Sequence, residues 1–119
     1  MQNSPQQNIP GIIEAQREFF GSGATLDIKF REEMLRRLLS ALGRWEERLA
    51  AALWNDLHKS YEEAFLTEFS ILYGELESHI KNVGKWARIQ KAPTPLHVLP
   101  SRSRIVKEPL GCALIIAPW

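Results

Sequence analysis

The chain has 119 residues, 15 basic and 14 acidic side chains, a net charge of +1 and 45% apolar content. That length suits one ordinary domain with a core, and the balanced charge supplies no field to gather nucleic acid or an anionic membrane. The single cysteine excludes an internal disulfide framework and fits a reducing, cytoplasmic setting. No apolar stretch approaches the roughly 18 residues of a membrane span.

Residues 1–8 are polar and read as a frayed tail without the pattern of a secretory leader. From Ile9-Pro10 a first helix is expected, with Pro10 in its first turn, Ile12, Ala15 and Phe19 on one side, and Gly21-Ser-Gly23 as its end. A second runs from about Asp27 to Leu42, where Leu35, Leu38, Leu39 and Leu42 form an apolar stripe and Gly43 breaks the pattern. A third follows with Trp45, Leu49, Ala52, Leu53 and Leu57 inward. Ser60-Tyr-Glu-Glu63 reads as a capping box. It opens a long helix with Phe65, Phe69, Leu72, Leu76, Ile80 and Val83 on one face, reaching Trp86 or Arg88 with kinks expected at Gly74 or Gly84.

The character changes at Pro93, with five of the seven prolines between there and the end. Leu96–Leu99 and Ser103–Lys107 read as two short strands around a Pro100-Ser-Arg turn. Pro109 and Gly111 then set a turn into Cys112-Ala-Leu-Ile-Ile-Ala-Pro-Trp119. This run has no polar face, as expected of a strand buried on both sides in a parallel sheet. With nothing following to supply a second strand, the chain reads as the front piece of a larger enzyme. Four units are expected: a tail at 1–8, a helical segment at 9–92, a hairpin at 93–108 and a first sheet strand at 109–119.

The residue types that carry chemistry are sparse. Cys112 has no His or basic neighbour to activate a thiolate, so it reads as a packing residue. His58, His79 and His97 stand 21 and 18 apart, which is no metal-ligand spacing, and they read as solvated or capping. Glu62, Glu63 and Glu68 read as a helix cap and surface charges before an acid–base pair. Lys81, Lys85, Arg88 and Lys91, with Arg102, Arg104 and Lys107, read as a solvated helix end favoured by its dipole. The rival use of that run, a nucleic-acid surface around Trp86, is weakened by the acidic residues elsewhere.

Two segments resemble a known family. Val106-Lys-Glu-Pro-Leu-Gly-Cys-Ala-Leu-Ile-Ile-Ala-Pro-Trp119 is similar to the stretch that opens the cofactor domain of aldehyde dehydrogenases. The helix from Lys59 to Glu77, with its Thr67-Glu68 pair, resembles a helix of the same superfamily. Trp86 followed by Thr94-Pro95-Leu96 resembles the class 3, fatty-aldehyde branch.

The resemblance implies an α/β enzyme of which this chain is the mainly helical front, about four helices followed by a short β-hairpin and the first strand of a Rossmann-like sheet. The whole would oxidise an aldehyde to a carboxylic acid through a thiohemiacetal and hydride transfer to NAD or NADP, as a homodimer. Ile116, Ala117, Pro118 and Trp119 would line the cofactor cleft. The thiolate nucleophile, the general-base Glu and the oxyanion Asn would lie beyond Trp119, so the chain carries no catalytic residue and no metal ligand. The alternative is a stand-alone helical interaction module, which would have to cover Leu114, Ile115 and Ile116 itself.

Overall fold

Asn8 begins the first helix in the computed structural model, which describes residues 8–116. Its side-chain oxygen accepts from the Gly11 N–H at 3.1 Å, with Pro10 in the first turn, and the helix runs as α1 over Ile9–Gly21. A single 3-10 turn, Ala24–Leu26, leads to Asp27, which caps α2 by accepting from the Lys29 N–H at 3.1 Å.

Helix α2 spans Ile28–Leu57 without interruption, so the break expected at Gly43 does not occur and the second and third expected helices are one. A lone glycine costs a helix only about 1 kcal/mol against alanine. Across the glycine, Arg44 donates to the Ser40 hydroxyl one turn back at 2.8 Å, which favours continuation. At about 1.5 Å per residue the 30 residues form a rod of about 45 Å. It stops at His58, whose φ of +54° is left-handed and whose N–H donates to the Trp54 carbonyl at 2.8 Å.

Ser60 caps the next helix as expected, its hydroxyl accepting from the Glu63 N–H at 3.2 Å. Helix α3 (Tyr61–Ala64) passes into a π-helical segment, Phe65–Phe69, and on into α4 (Ser70–Trp86). The irregularity therefore lies at 65–69, and α4 runs through Gly74. Local chemistry accounts for the position: Thr67 and Ser70 donate their hydroxyls to the carbonyls of Glu63 and Leu66, at 2.8 and 2.9 Å. Such back-bonding loosens the regular ladder.

Helices α2 and α4 lie antiparallel, with Gly84 beside Ile28 at one end and Gly43 beneath the Tyr73 hydroxyl further along. Leu42, Ala50, Ala64, Phe69 and Leu76 are buried, with Leu35, Leu39, Leu53 and Tyr73 packed against them. Trp45, Leu49 and Leu57, expected inward, are exposed instead. The cause is that one helix hairpin covers only one side of α2. Arg48 places its guanidinium 4.4 Å over the Trp45 ring, partly shielding it.

The small sheet also differs from expectation. Leu96–Val98 is a 3-10 turn, and the antiparallel pair is β1 (Gln90–Lys91) with β2 (Arg104–Ile105), in register Gln90 to Ile105 and Lys91 to Arg104. Pro95 pre-sets the backbone for the turn, which closes through Val98 N–H donating to the Pro95 carbonyl at 3.1 Å. Pairing thus moves outward to the residues flanking the prolines.

Residues 109–116 have no regular structure, so the strand expected from Cys112 is not formed over 112–116; Ala117, Pro118 and Trp119 lie outside the described residues. A strand needs a neighbour to satisfy its backbone groups. Among the described residues, β1 and β2 pair only with each other.

Candidate functional site

The segment expected to meet the cofactor folds back along α1. Gly111 takes φ +103°, a conformation open to glycine and strained for other residues. A Cβ there would sit 3.6 Å from the Phe20 ring, so the turn lies close against α1. Beyond it, Leu114, Ile115 and Ile116 are 85%, 86% and 82% exposed. Of the four candidate cofactor residues only Ile116 is described, and it offers an uncharged, solvent-facing surface. That fits an apolar contact to a dinucleotide and supplies no cradle for its phosphates.

Cys112 is exposed, which corrects the expectation that it is packed away. It lines a cleft of about 600 Å³ with Ile12, Ala15, Gln16, Phe19, Phe20 and Thr25, and no other ionisable side chain lines that cleft. Among the described residues, no base or cation therefore shares the cleft with the thiol. A second recess, between α2 and α4, is almost wholly apolar and is lined by Leu38, Trp45, Leu49 and Leu72 above the buried Leu42 and Leu76.

The polar residues that carried the family resemblance meet each other. Lys59 Nζ donates to Thr67 Oγ1 at 3.1 Å and to Glu68 Oε1 at 2.8 Å, with its side chain only 17% exposed. These residues pin the start of the helix to its π-helical segment, which is a structural role. Glu68 is therefore an ion-pair partner, and Glu63 serves through its backbone in the Ser60 cap.

Sequence reasoning missed a carboxylate shared by two tyrosines. Tyr61 donates to one Glu46 oxygen at 2.6 Å and Tyr73 to the other. Hydrogen bonds from Tyr61 and then Tyr73 hold the Glu46 carboxyl below its usual range. The same bonding to Glu46 raises Tyr61 and pushes Tyr73 up to about 12. Separations of 15 and 27 residues leave no local spacing from which this cluster could be read.

The histidines are dispersed. His58 ends α2, and its ring lies 5.6 Å from that of Trp54. His79 meets the Glu75 carbonyl at 2.7 Å and stands edge-on to Trp86 at 5.2 Å. No group of three potential metal ligands exists among the described residues. The basic residues divide: Lys85 lies in the last turn of α4, as the helix-dipole reading expects. Lys91, Arg102 and Arg104 line a separate pocket of about 380 Å³ on the ribbon with Ala92, Thr94 and Ser103.

Comparison with known proteins places these features. The model of the aldehyde dehydrogenase family matches residues 1–119. The 4,4'-diaponeurosporen-aldehyde dehydrogenase of Staphylococcus aureus is 38% identical over 103 residues, 87% of this chain and 22% of that protein. Human aldehyde dehydrogenase family 3 member B1 is 37% identical over the same share of each. A solved structure of Staphylococcus aureus AldH in a substrate-bound state superposes with a TM-score of 0.78 at 34% identity, covering 87% of this chain and 23% of that one. The chain thus spans less than a quarter of the length of these relatives.

Proposed function

The chain belongs to the aldehyde dehydrogenase family, with relatives named as family 3 members, and we propose that it is the amino-terminal part of an enzyme oxidising an aldehyde to a carboxylic acid. In this reading the helices pack on the cofactor domain, residues 93–108 belong to the β platform of a homodimer, and 109–119 become the first strand of the dinucleotide-binding sheet. NAD or NADP supplies the hydride acceptor. Ile116, Ala117, Pro118 and Trp119 lie at the carboxyl end of that strand, where open α/β sheets hold their ligands. The setting is the cytoplasm, a reading supported by the lone thiol.

The observation that carries this reading is the likeness of fold to the substrate-bound Staphylococcus aureus structure, 0.78 in TM-score at 34% identity. Two features support it over a self-contained interaction module. Leu114, Ile115 and Ile116 are left uncovered, and the apolar recess of α2 and α4 awaits a further layer.

The 119 residues alone are inactive in this account, since their one thiol has no ionisable neighbour in its cleft. Grafting the chain in place of the matching portion of the Staphylococcus aureus relative tests the reading. The chimera should reduce NAD or NADP when given an aldehyde, while the isolated chain should not. A well-folded but inactive chimera, or turnover by the isolated chain, would overturn it.

A further inference from the structure

We propose that Lys91, Arg102 and Arg104, with the hydroxyls of Thr94 and Ser103, form a binding site on the β1–β2 ribbon for a phosphate-bearing anion.

The ribbon has only two residues in each strand, and one of its two cross-strand pairs is Lys91 opposite Arg104. Like charges directly opposed across a ladder repel and weaken it. Arg102 brings a third cation to the same pocket, and no carboxylate lines it. Arg36, Arg37 and Lys59 each pair with a glutamate. Lys91, Arg102 and Arg104 form no ion pair among the described residues. A concentration of positive charge on so small an element therefore has no carboxylate lining its pocket among the described residues.

The donor set matches a tetrahedral oxyanion. Arginine presents a planar fork suited to two phosphate oxygens at once, and lysine adds a point charge. Ser103 and Thr94 add hydroxyls that can donate. Thr94 Oγ1 already accepts from the Ser103 N–H at 2.9 Å, which leaves its own proton free and holds the loop in shape. The Ala92 N–H donates to the Ser103 carbonyl at 3.1 Å, closing the pocket's other side. At about 380 Å³ the pocket is larger than a bare phosphate needs, so a phosphate monoester with an organic group is accommodated. The site lies on a different element from the candidate cofactor residues; Thr94, Arg102, Ser103 and Arg104 fall within the 93–108 segment given above to the β platform, and the site is that of the ribbon as this chain presents it.

Titration of the 119-residue chain with inorganic phosphate at constant ionic strength, followed by amide NMR shifts, tests the site. The expected result is saturation, with the shifting amides centred on Lys91, Thr94 and residues 102–104. Arg102→Ala and Arg104→Ala should each weaken binding by about ten-fold or more. Arg104→Lys, which keeps the charge and loses the fork, should fall between. Arg36→Ala should bind as the parent chain does. Acetate titrated in parallel separates the two sources of an oxyanion, a free phosphate and a protein carboxylate. Equal affinity for acetate, non-saturating shifts, or unchanged binding in both alanine variants with intact ribbon amide signals would overturn the proposal.

Discussion

Tyr73 on α4 and Glu46 on α2 are joined hydroxyl to carboxylate across the helix hairpin, and Tyr61 takes the second oxygen of the same carboxylate at 2.6 Å. One side chain thereby ties α2 to the start and to the middle of the helix that follows the Ser60 cap. Replacing Tyr73 with Phe keeps the ring and removes the bond, and should lower the melting temperature by about 4 °C in a thermal melt followed by circular dichroism. An unchanged midpoint would show the cluster to be energetically idle.

The same cluster sets a pH window. Glu46 is held below its usual range, so its contribution is present above the ordinary carboxylate value and fades as pH falls through the lowered folded value. Tyr73 is raised to about 12, so its contribution is complete below the ordinary phenol value near 10 and is lost as pH climbs toward 12. Tyr61 and Tyr73 are the chain's two tyrosines. An ultraviolet titration should therefore show phenol ionisation delayed beyond the ordinary range, and Glu46→Gln should bring it back. Two ordinary phenols in the parent chain would refute the arrangement.

Core packing offers a sharper stability test. Phe69 is buried against Leu42, Ala50, Ala64 and Leu76, and Phe69→Ala should cost about 3–5 kcal/mol in urea denaturation. Ala64 is wholly enclosed, so Ala64→Leu should cost about 1–3 kcal/mol by overpacking. Little change in either would mean that the helix hairpin packs less closely than described.

The Ser60 cap is worth less. Ser60→Ala removes the acceptor for the Glu63 N–H and should cost about 1 kcal/mol, read as a shift in denaturation midpoint. Ser60→Asp should recover most of it, which separates loss of the cap from a packing effect.

The uncovered segment predicts self-association. Leu114, Ile115 and Ile116 present a contiguous apolar stretch to solvent, and such stretches drive aggregation. Ile115→Lys should reduce light scattering at fixed concentration while leaving helix content unchanged. Equal scattering would place the association elsewhere, most plainly at Trp45 and Leu49.

Features with a local cause were legible in the sequence. Pro10, the Ser60 cap and the end at Trp86 each follow from one or two residues, and the structure has all three. Family membership was legible in the segments at Lys59–Glu77 and Val106–Trp119. What failed depended on partners. Gly43 looked like a stop because its neighbour Tyr73, 30 residues on, is invisible along the chain. Trp45, Leu49 and Leu57 fit an inward stripe, yet a stripe says only that a face is apolar, not that anything covers it. The hairpin was placed on Leu96–Leu99 by its β-rich composition, while the prolines around it turned that stretch into a 3-10 turn and shifted pairing to residues 90–91 and 104–105. The Glu46 cluster had no local signature at all.

The π-helical segment at Phe65–Phe69 has a consequence for phase. Its carbonyl-to-amide link from Phe65 to Ser70 spans five residues, so the stretch holds one residue more than a regular helix would. Everything before it is offset by about 100° around the axis relative to everything after it. Tyr61 and Tyr73 reach the same carboxylate from opposite sides of that offset. Deleting one residue within 65–69 would leave a smoother helix, yet would rotate Tyr61 away from Glu46 and Ala64 away from the core it shares with Phe69. The irregular turn acts as a vernier, setting the angle at which two halves of one helix meet the same carboxylate.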